Sequence, residues 1–177
     1  MENLIEIRVN DIAQLFHTLD PFPFREKDLD QEAEEYIVSW ARELPSDRPI
    51  RIMVHVPNTE AQLQASRDLG AAFGGYFGGR SLAVQRDLNE LFRVGLRSLG
   101  IGASILVICL VCAHLAAEYL DKSPFNWLAQ ESFLILGWVA NWRPLEIFLY
   151  DWWPLARRRD LYRRLSKATV DLSPYPQ

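Results

Sequence analysis

The first residues alternate. Leu4-Ile5-Glu6-Ile7-Arg8-Val9 places apolar and charged side chains in turn, the period of a strand with one buried face. Asn10 can then cap a short helix whose apolar positions, Ile12, Leu15, Phe16 and Leu19, are spaced by three and four. Asp20-Pro21-Phe22-Pro23-Phe24 ends it, because each proline removes a donor and restricts the residue before it. A second helix is expected over residues 29–44, with Leu29, Ala33, Tyr36, Ile37, Trp40, Ala41 and Leu44 as its apolar stripe. Pro45 and Pro49 bracket a turn, and residues 50–56 alternate as a second strand. Thr59-Glu60-Ala61-Gln62 reads as a capping box opening a third helix. That helix passes through Gly70, Gly74, Gly75, Gly78 and Gly79. Each costs about 1 kcal/mol relative to alanine, so a break is expected near Gly78-Gly79. Helical spacing resumes at Val84, Leu88, Leu91, Phe92 and Gly95.

The pattern then changes character. From Ser98 to Ala117 no side chain is charged, and from Phe125 to Leu155 only Glu131, Arg143, Glu146 and Asp151 interrupt an apolar and aromatic run. A helix needs about 20 residues to cross the hydrocarbon core, so both runs are expected to span a membrane. Trp138, Trp142, Tyr150, Trp152 and Trp153 suit an interfacial aromatic belt. Arg80, Arg86, Arg93 and Arg97 precede the first run, and Arg143, Arg157, Arg158, Arg159, Arg163, Arg164 and Lys167 follow the second. Only Lys122 lies between, so the positive-inside rule places both termini in the cytoplasm. After a basic helix at 157–165, residues 167–172 alternate again, as a third strand returning to the first two.

The expected fold class is a small α/β (α+β) cytoplasmic domain of two or three strands plus a two-helix transmembrane hairpin. Its parts are a cytoplasmic domain at 1–79, a juxtamembrane helix at 80–97 and a first span at 98–120. An external loop at 121–124, a second span at 125–143 and an interfacial aromatic segment at 144–155 follow. Residues 156–177 form the basic helix and returning strand. Core helices of a soluble α/β protein are the competing reading, but a chain of 177 residues has little other mass to cover two apolar helices.

Composition narrows the function. The N-terminus lacks the basic and apolar regions of a secretory signal, so the leading segment is expected to stay where it is made. Cys109 and Cys112 both lie inside the first apolar run and do not make a disulfide framework. A net charge of −4 speaks against a general nucleic-acid binder. Residues 1–60 hold 13 acidic against 6 basic side chains, a surface suited to a basic partner or to the chain's own tail.

Candidate chemistry is sparse. Cys109, Cys112 and His114 read as small and polar members of a membrane helix, without the spacing of a metal or haem motif. The acidic run Asp28–Glu35 has alanine where a calcium loop needs glycine, and acidic residues suit the positive end of a helix. Gly70, Gly74 and Gly78 have close-packing spacing, and serve either helix packing or a flexible joint. His114 and Glu131 are candidate intramembrane polar groups. Arg143 and Glu146, three apart, can pair on one helix face beside Pro144, with Trp142, Asp151, Trp152 and Trp153 completing a membrane-interface group. Pro144 also leaves the Ala140 carbonyl without its usual partner, which a nearby arginine can take. No catalytic, cofactor or metal site is expected.

The stretch from Trp142 to Pro154 with the arginine cluster after it, and the segments Asp20-Pro21-Phe22 and Arg25 to Trp40, resemble bacterial two-span inner-membrane proteins of unknown function. The resemblance implies an inner-membrane setting and no activity. Three functions are compatible with the residues. The first is a non-enzymatic accessory or scaffolding protein that binds a protein partner or itself. The second is a membrane-anchored enzyme acting on a lipid or headgroup through His55, His17 and Asp20. The third is a small oligomeric transporter or channel using Glu131.

Overall fold

The computed structural model describes residues 3–16, 28–45, 47–57, 60–119 and 126–175, with side chains of the long central helix described from residue 69 onward. His17, the Asp20–Phe24 breaker, Thr59 of the expected capping box and the connecting loop with Lys122 lie outside these residues. The chain is mostly helical around a small parallel sheet of three strands. Strand β1 is Asn3–Arg8, β2 is Ile50–Pro57 and β3 is Thr169–Tyr175, in the order β1-β2-β3. Ile5 pairs with Ile52 and Ile7 with Val54, while Val170 and Leu172 pair with the same two residues from the other side. Alternation therefore does what the sequence predicts. Ile5, Ile52, Val54 and Val56 are buried on one face, and Glu6, Arg51, His55 and Asp171 share the other. That second face is laced by Arg51–Asp171 at 3.4 Å and His55–Glu6 at 3.8 Å.

Parallel neighbours need crossover connections. Helix α1 (Gln31–Glu43) makes the first. Asp30 caps it, its carboxylate accepting the Glu32 amide at 3.0 Å. The expected inward stripe is rotated by about one position. Glu34, Ile37, Val38 and Ala41 are buried, whereas Tyr36 and Trp40 pack on each other at the surface. Before α1, the short helix is a 3-10 turn, Ile12–Leu15, and its cap is Asp11, not Asn10. Asp11 wins because its carboxylate reaches the Ala13 amide at 2.9 Å, while Asn10 gives its own amide to Gln14.

The second crossover contains every other element. Helix α2 runs unbroken over 60 residues, Glu60–Tyr119. The break expected at Gly78-Gly79 does not occur. Phe73, Phe77, Val84 and Leu88 are buried along this stretch, and that burial outweighs the glycine penalty. Helices α3 (Asn126–Ala140) and α4 (Trp142–Glu146) follow, then a π turn at Ile147–Asp151, then α5 (Trp152–Leu165). Pro144 falls in the first turn of α4, where a missing amide hydrogen is harmless, and the helix is interrupted just before it at Asn141. Within Leu69–Tyr119, α2 is long and apolar enough to cross a membrane by length and composition. Helix α3, at 15 residues, is shorter than a full span.

The chain forms two compact units, one of Met1–Val84 with Arg157–Gln177 and one of Gln85–Ala156. In the first, the start of β1 and the last turn of α5 meet the stretch after α1. The Asn3 side chain donates to the carbonyls of Pro45 and Arg48 at 3.0 and 3.2 Å, and Arg164 donates to the same two carbonyls at 2.6 and 3.3 Å. The core of this unit is aromatic as well as aliphatic. Phe16 meets Phe73 edge-on, and Phe77 stacks on Tyr162.

Candidate functional site

Among the described residues, three groupings stand out for the polar chemistry they bring together. The first lies in the sheet-bearing unit and is the one sequence reasoning missed. Glu34 of α1 is buried, and its carboxylate accepts hydrogen bonds from Tyr76 at 2.6 Å, Arg80 at 2.6 Å and Tyr162 at 3.0 Å. Tyr76 and Arg80 are one turn apart on α2, and Tyr162 comes from α5, so one carboxylate ties three helices together. Arg158 lies over the Tyr162 ring and donates to its hydroxyl at 3.3 Å. Burial alone would raise the Glu34 pKa, but the hydrogen bonds from Tyr76, Arg80 and Tyr162 and the Arg80 charge outweigh it and hold the carboxyl below its ordinary value. Burial, and then the hydrogen bond to Glu34, pushes the Tyr76 hydroxyl up. Every oxygen of this group is engaged, which suits a structural junction. A signal was present in the sequence, since Glu34 lies three and seven residues from Ile37 and Ala41 on one helical face.

The second grouping is a groove of about 360 Å³ where β1 ends and α1 begins. Ile7, Leu15 and Ala33 give it an apolar floor, and Arg8, Gln14, Asp30 and Tyr36 stand around it. Tyr36 donates to the Glu6 carbonyl at 3.2 Å. Clefts at the carboxyl ends of parallel strands are common binding places. Here Asp30 already caps α1 and Gln14 already accepts from Asn10, so the groove offers shape more than free polar groups. His55 is on the open sheet face beside Glu6, and Asp20 and His17 lie outside the described residues.

The third grouping is in the Gln85–Ala156 unit. Arg143 donates to Glu146 at 3.0 Å, as the spacing of three predicts, and also to Asp151 at 3.0 Å. Arg143 is exposed, Glu146 and Asp151 are half-buried, and Arg143 bridges these two carboxylates and is not the partner expected for the Ala140 carbonyl. That carbonyl instead faces Gly102 of α2, where a Cβ would come within 2.9 Å of it. Beside it Asn141 is buried, and its amide donates to the carbonyls of Gly102 at 3.0 Å and Gly137 at 2.9 Å. Trp142 and Trp153 are exposed, and the Trp152 indole donates to the Phe148 carbonyl at 3.0 Å across the wide π turn.

Close packing uses other glycines than those the spacing singled out. A Cβ on Gly70 or Gly78 would meet nothing within 4 Å, and one on Gly74 would meet the Ser166 carbonyl at 3.2 Å. The tight positions are Gly95 against Ile147, Gly102 against Ala140 and Asn141, and Gly137 against Leu106, at 2.9, 2.7 and 2.6 Å. Gly95, Gly102, Cys109 and Ala116 recur every seven residues and are all buried, a heptad of small side chains along α2. As the α2 number rises from 95 to 109 the partner number falls from 147 to 137, so the two segments run in opposite directions. His114 and Glu131 are exposed, Cys109 is buried and Cys112 is half-buried.

Comparison with known proteins finds no matching family model, no matching curated protein and no matching solved structure.

Proposed function

We propose that the chain is a non-enzymatic membrane accessory protein: a two-span hairpin carries a cytoplasmic sheet-bearing domain that binds a protein partner or a second copy. The observation that carries this reading is the pairing of β2 with β3 on either side of the apolar segments. Two paired strands lie on one side of a membrane. If the apolar part of α2 crosses, the chain must cross back before Thr169, and the run from Asn126 to Trp142 is the apolar stretch available. Its length reaches the lower end of the roughly 17–25 residues a span needs. Exposure supports the same reading, because the apolar window of α2 is only 17% buried and Ile101, Val107, Ile108, Ile135 and Val139 lie exposed. A core helix of a soluble protein would be covered. The Ser104 and Ser132 hydroxyls within these helices are satisfied locally, by the Gly100 carbonyl and by that of Leu128, as suits a medium without water.

On this reading the setting is a bacterial inner membrane, with Arg143, Glu146 and Asp151 at its cytoplasmic boundary. Arg97 on α2 lies at the same level, since it falls between Gly95 and Gly102 while Glu146 and Arg143 fall between their partners Ile147 and Asn141. The groove and the exposed Tyr36–Trp40 pair supply a surface for a partner.

The test is topological. The full chain should stay in the membrane pellet through an alkaline wash. A reporter active only outside the membrane should be silent at the C-terminus and active at Lys122. Release by alkali, or activity at the C-terminus, would sink the reading.

A further inference from the structure

Two titratable side chains in the apolar part of the Gln85–Ala156 unit are left over. Glu131 and His114 are exposed, and among the described residues neither makes a hydrogen bond or an ion pair. On the membrane reading, which this inference rests on, such groups are expensive unless they face something polar. The packing contacts fix their depth. Leu106 and Cys109 lie against Gly137, and the helices run in opposite directions. Glu131, six positions before Gly137, is therefore level with residues 112–115 of α2, and His114 is among them.

Rotation fixes their side. With 3.6 residues per turn, His114 lies about 140° around α2 from Cys109, and Glu131 about 120° around α3 from Gly137. Seen from each helix's own N-terminus the two rotations have the same sense. For helices running in opposite directions, that puts both side chains on one side of the pair.

We propose that this side is the interface of a two-fold dimer in which Glu131 of each copy accepts a hydrogen bond from the partner's His114. A two-fold axis along the membrane normal leaves depth unchanged, so a contact between two groups of equal depth is made twice. An imidazole offers an N–H to a carboxylate whether neutral or charged. Size is complementary as well as polarity. On this side α2 carries Gly100, Ala103 and Val107, one to two turns apart below His114, and α3 carries Trp138, seven residues past Glu131. Gly100 has nothing within 4 Å of where a Cβ would stand, and Val107 and Trp138 are both exposed. Small residues on one helix give the large indole of the other room to approach.

The test uses two differently tagged full-length copies, both with Cys109→Ser and Cys112→Ser, one also with His114→Cys and the other with Glu131→Cys. Membranes are washed with alkali and treated with a short thiol-to-thiol cross-linker. The mixed pair should give a two-tag band that is lost when both copies carry the cysteine at 114 or both at 131. In parallel, Glu131→Ala should shift the solubilised chain from dimer to monomer, and the exchange His114→Glu with Glu131→His should restore the dimer. A chain that stays in the washed pellet but gives no mixed band, and whose mass in mild detergent is unmoved by Glu131→Ala, overturns the dimer alone. A chain that washes off overturns the membrane reading and the dimer with it.

Discussion

Glu34 concentrates the electrostatics of the sheet-bearing unit in one side chain. Its depressed pKa fixes the sign of its pH dependence. The contribution is fully present above the unfolded value, ordinarily 4.5, and is lost as pH falls through the lower folded value, because below both the carboxyl is neutral in either state. Glu34→Gln should lower the stability of the chain by about 1.5–3 kcal/mol at neutral pH, the range for hydrogen bonds to a charged group. Thermal unfolding of variant and parent should converge as pH drops below 4.5, and a gap that stays constant would refute this account. The glycines make a second contrast. Gly79 is exposed, helical and unobstructed, so Gly79→Ala should raise stability by about 0.5–1 kcal/mol. Gly102→Ala should lower it, because its Cβ would stand 2.9 Å from the Ala140 carbonyl and 2.7 Å from the Asn141 side chain. These roles were hidden in the sequence for a physical reason. Spacing within one helix shows which residues share a face, but not which face another helix covers. The evenly spaced Gly70, Gly74 and Gly78 therefore attracted notice, while Gly102 and Gly137, which meet side chains far along the chain, did not.

At the level of elements the alternating strands were the most legible part, since a period of two depends only on neighbours. The helix ends were less so, and the inward face of α1 was misjudged because Tyr36 and Trp40 look apolar while Glu34 does not. Strand β3 is the element on which the most depends. Truncation after Ala168 removes one of the two partners of β2, the one paired with it from Arg51 to Pro57. Residues 1–57 should then become sensitive to limited proteolysis, on the proposed topology without loss of the chain from the membrane, and undiminished resistance would argue against the pairing. The segment from α4 to α5 gives a subtler expectation. Because Arg143 bridges both Glu146 and Asp151, Glu146→Gln alone should change the yield of folded protein little. Glu146→Gln with Asp151→Asn should lower it clearly, and Arg143→Gln added to that pair should recover part of the loss. Equal loss in the single and the double variant would show that the second carboxylate is idle.

Taken as a molecule, the chain folds one domain from its two ends and places its most apolar residues between them. Hydropathy made that division visible in the sequence. The junction of Glu34, Tyr76, Arg80 and Tyr162 was not visible, because its members are spread from α1 to α5 and none is unusual alone. The sheet has a consequence for synthesis. Strands β1 and β2 leave the ribosome before the apolar segments, and β3 only after them. Until then β2 has an open edge, and the Glu34 carboxylate lacks Tyr162. On the proposed topology, a chain that inserts only its first span delivers β3 to the wrong compartment and leaves the domain permanently unfinished and open to proteases. Completion of the sheet is then a built-in record of correct insertion, readable on one side of the membrane by any partner that recognises only the finished domain.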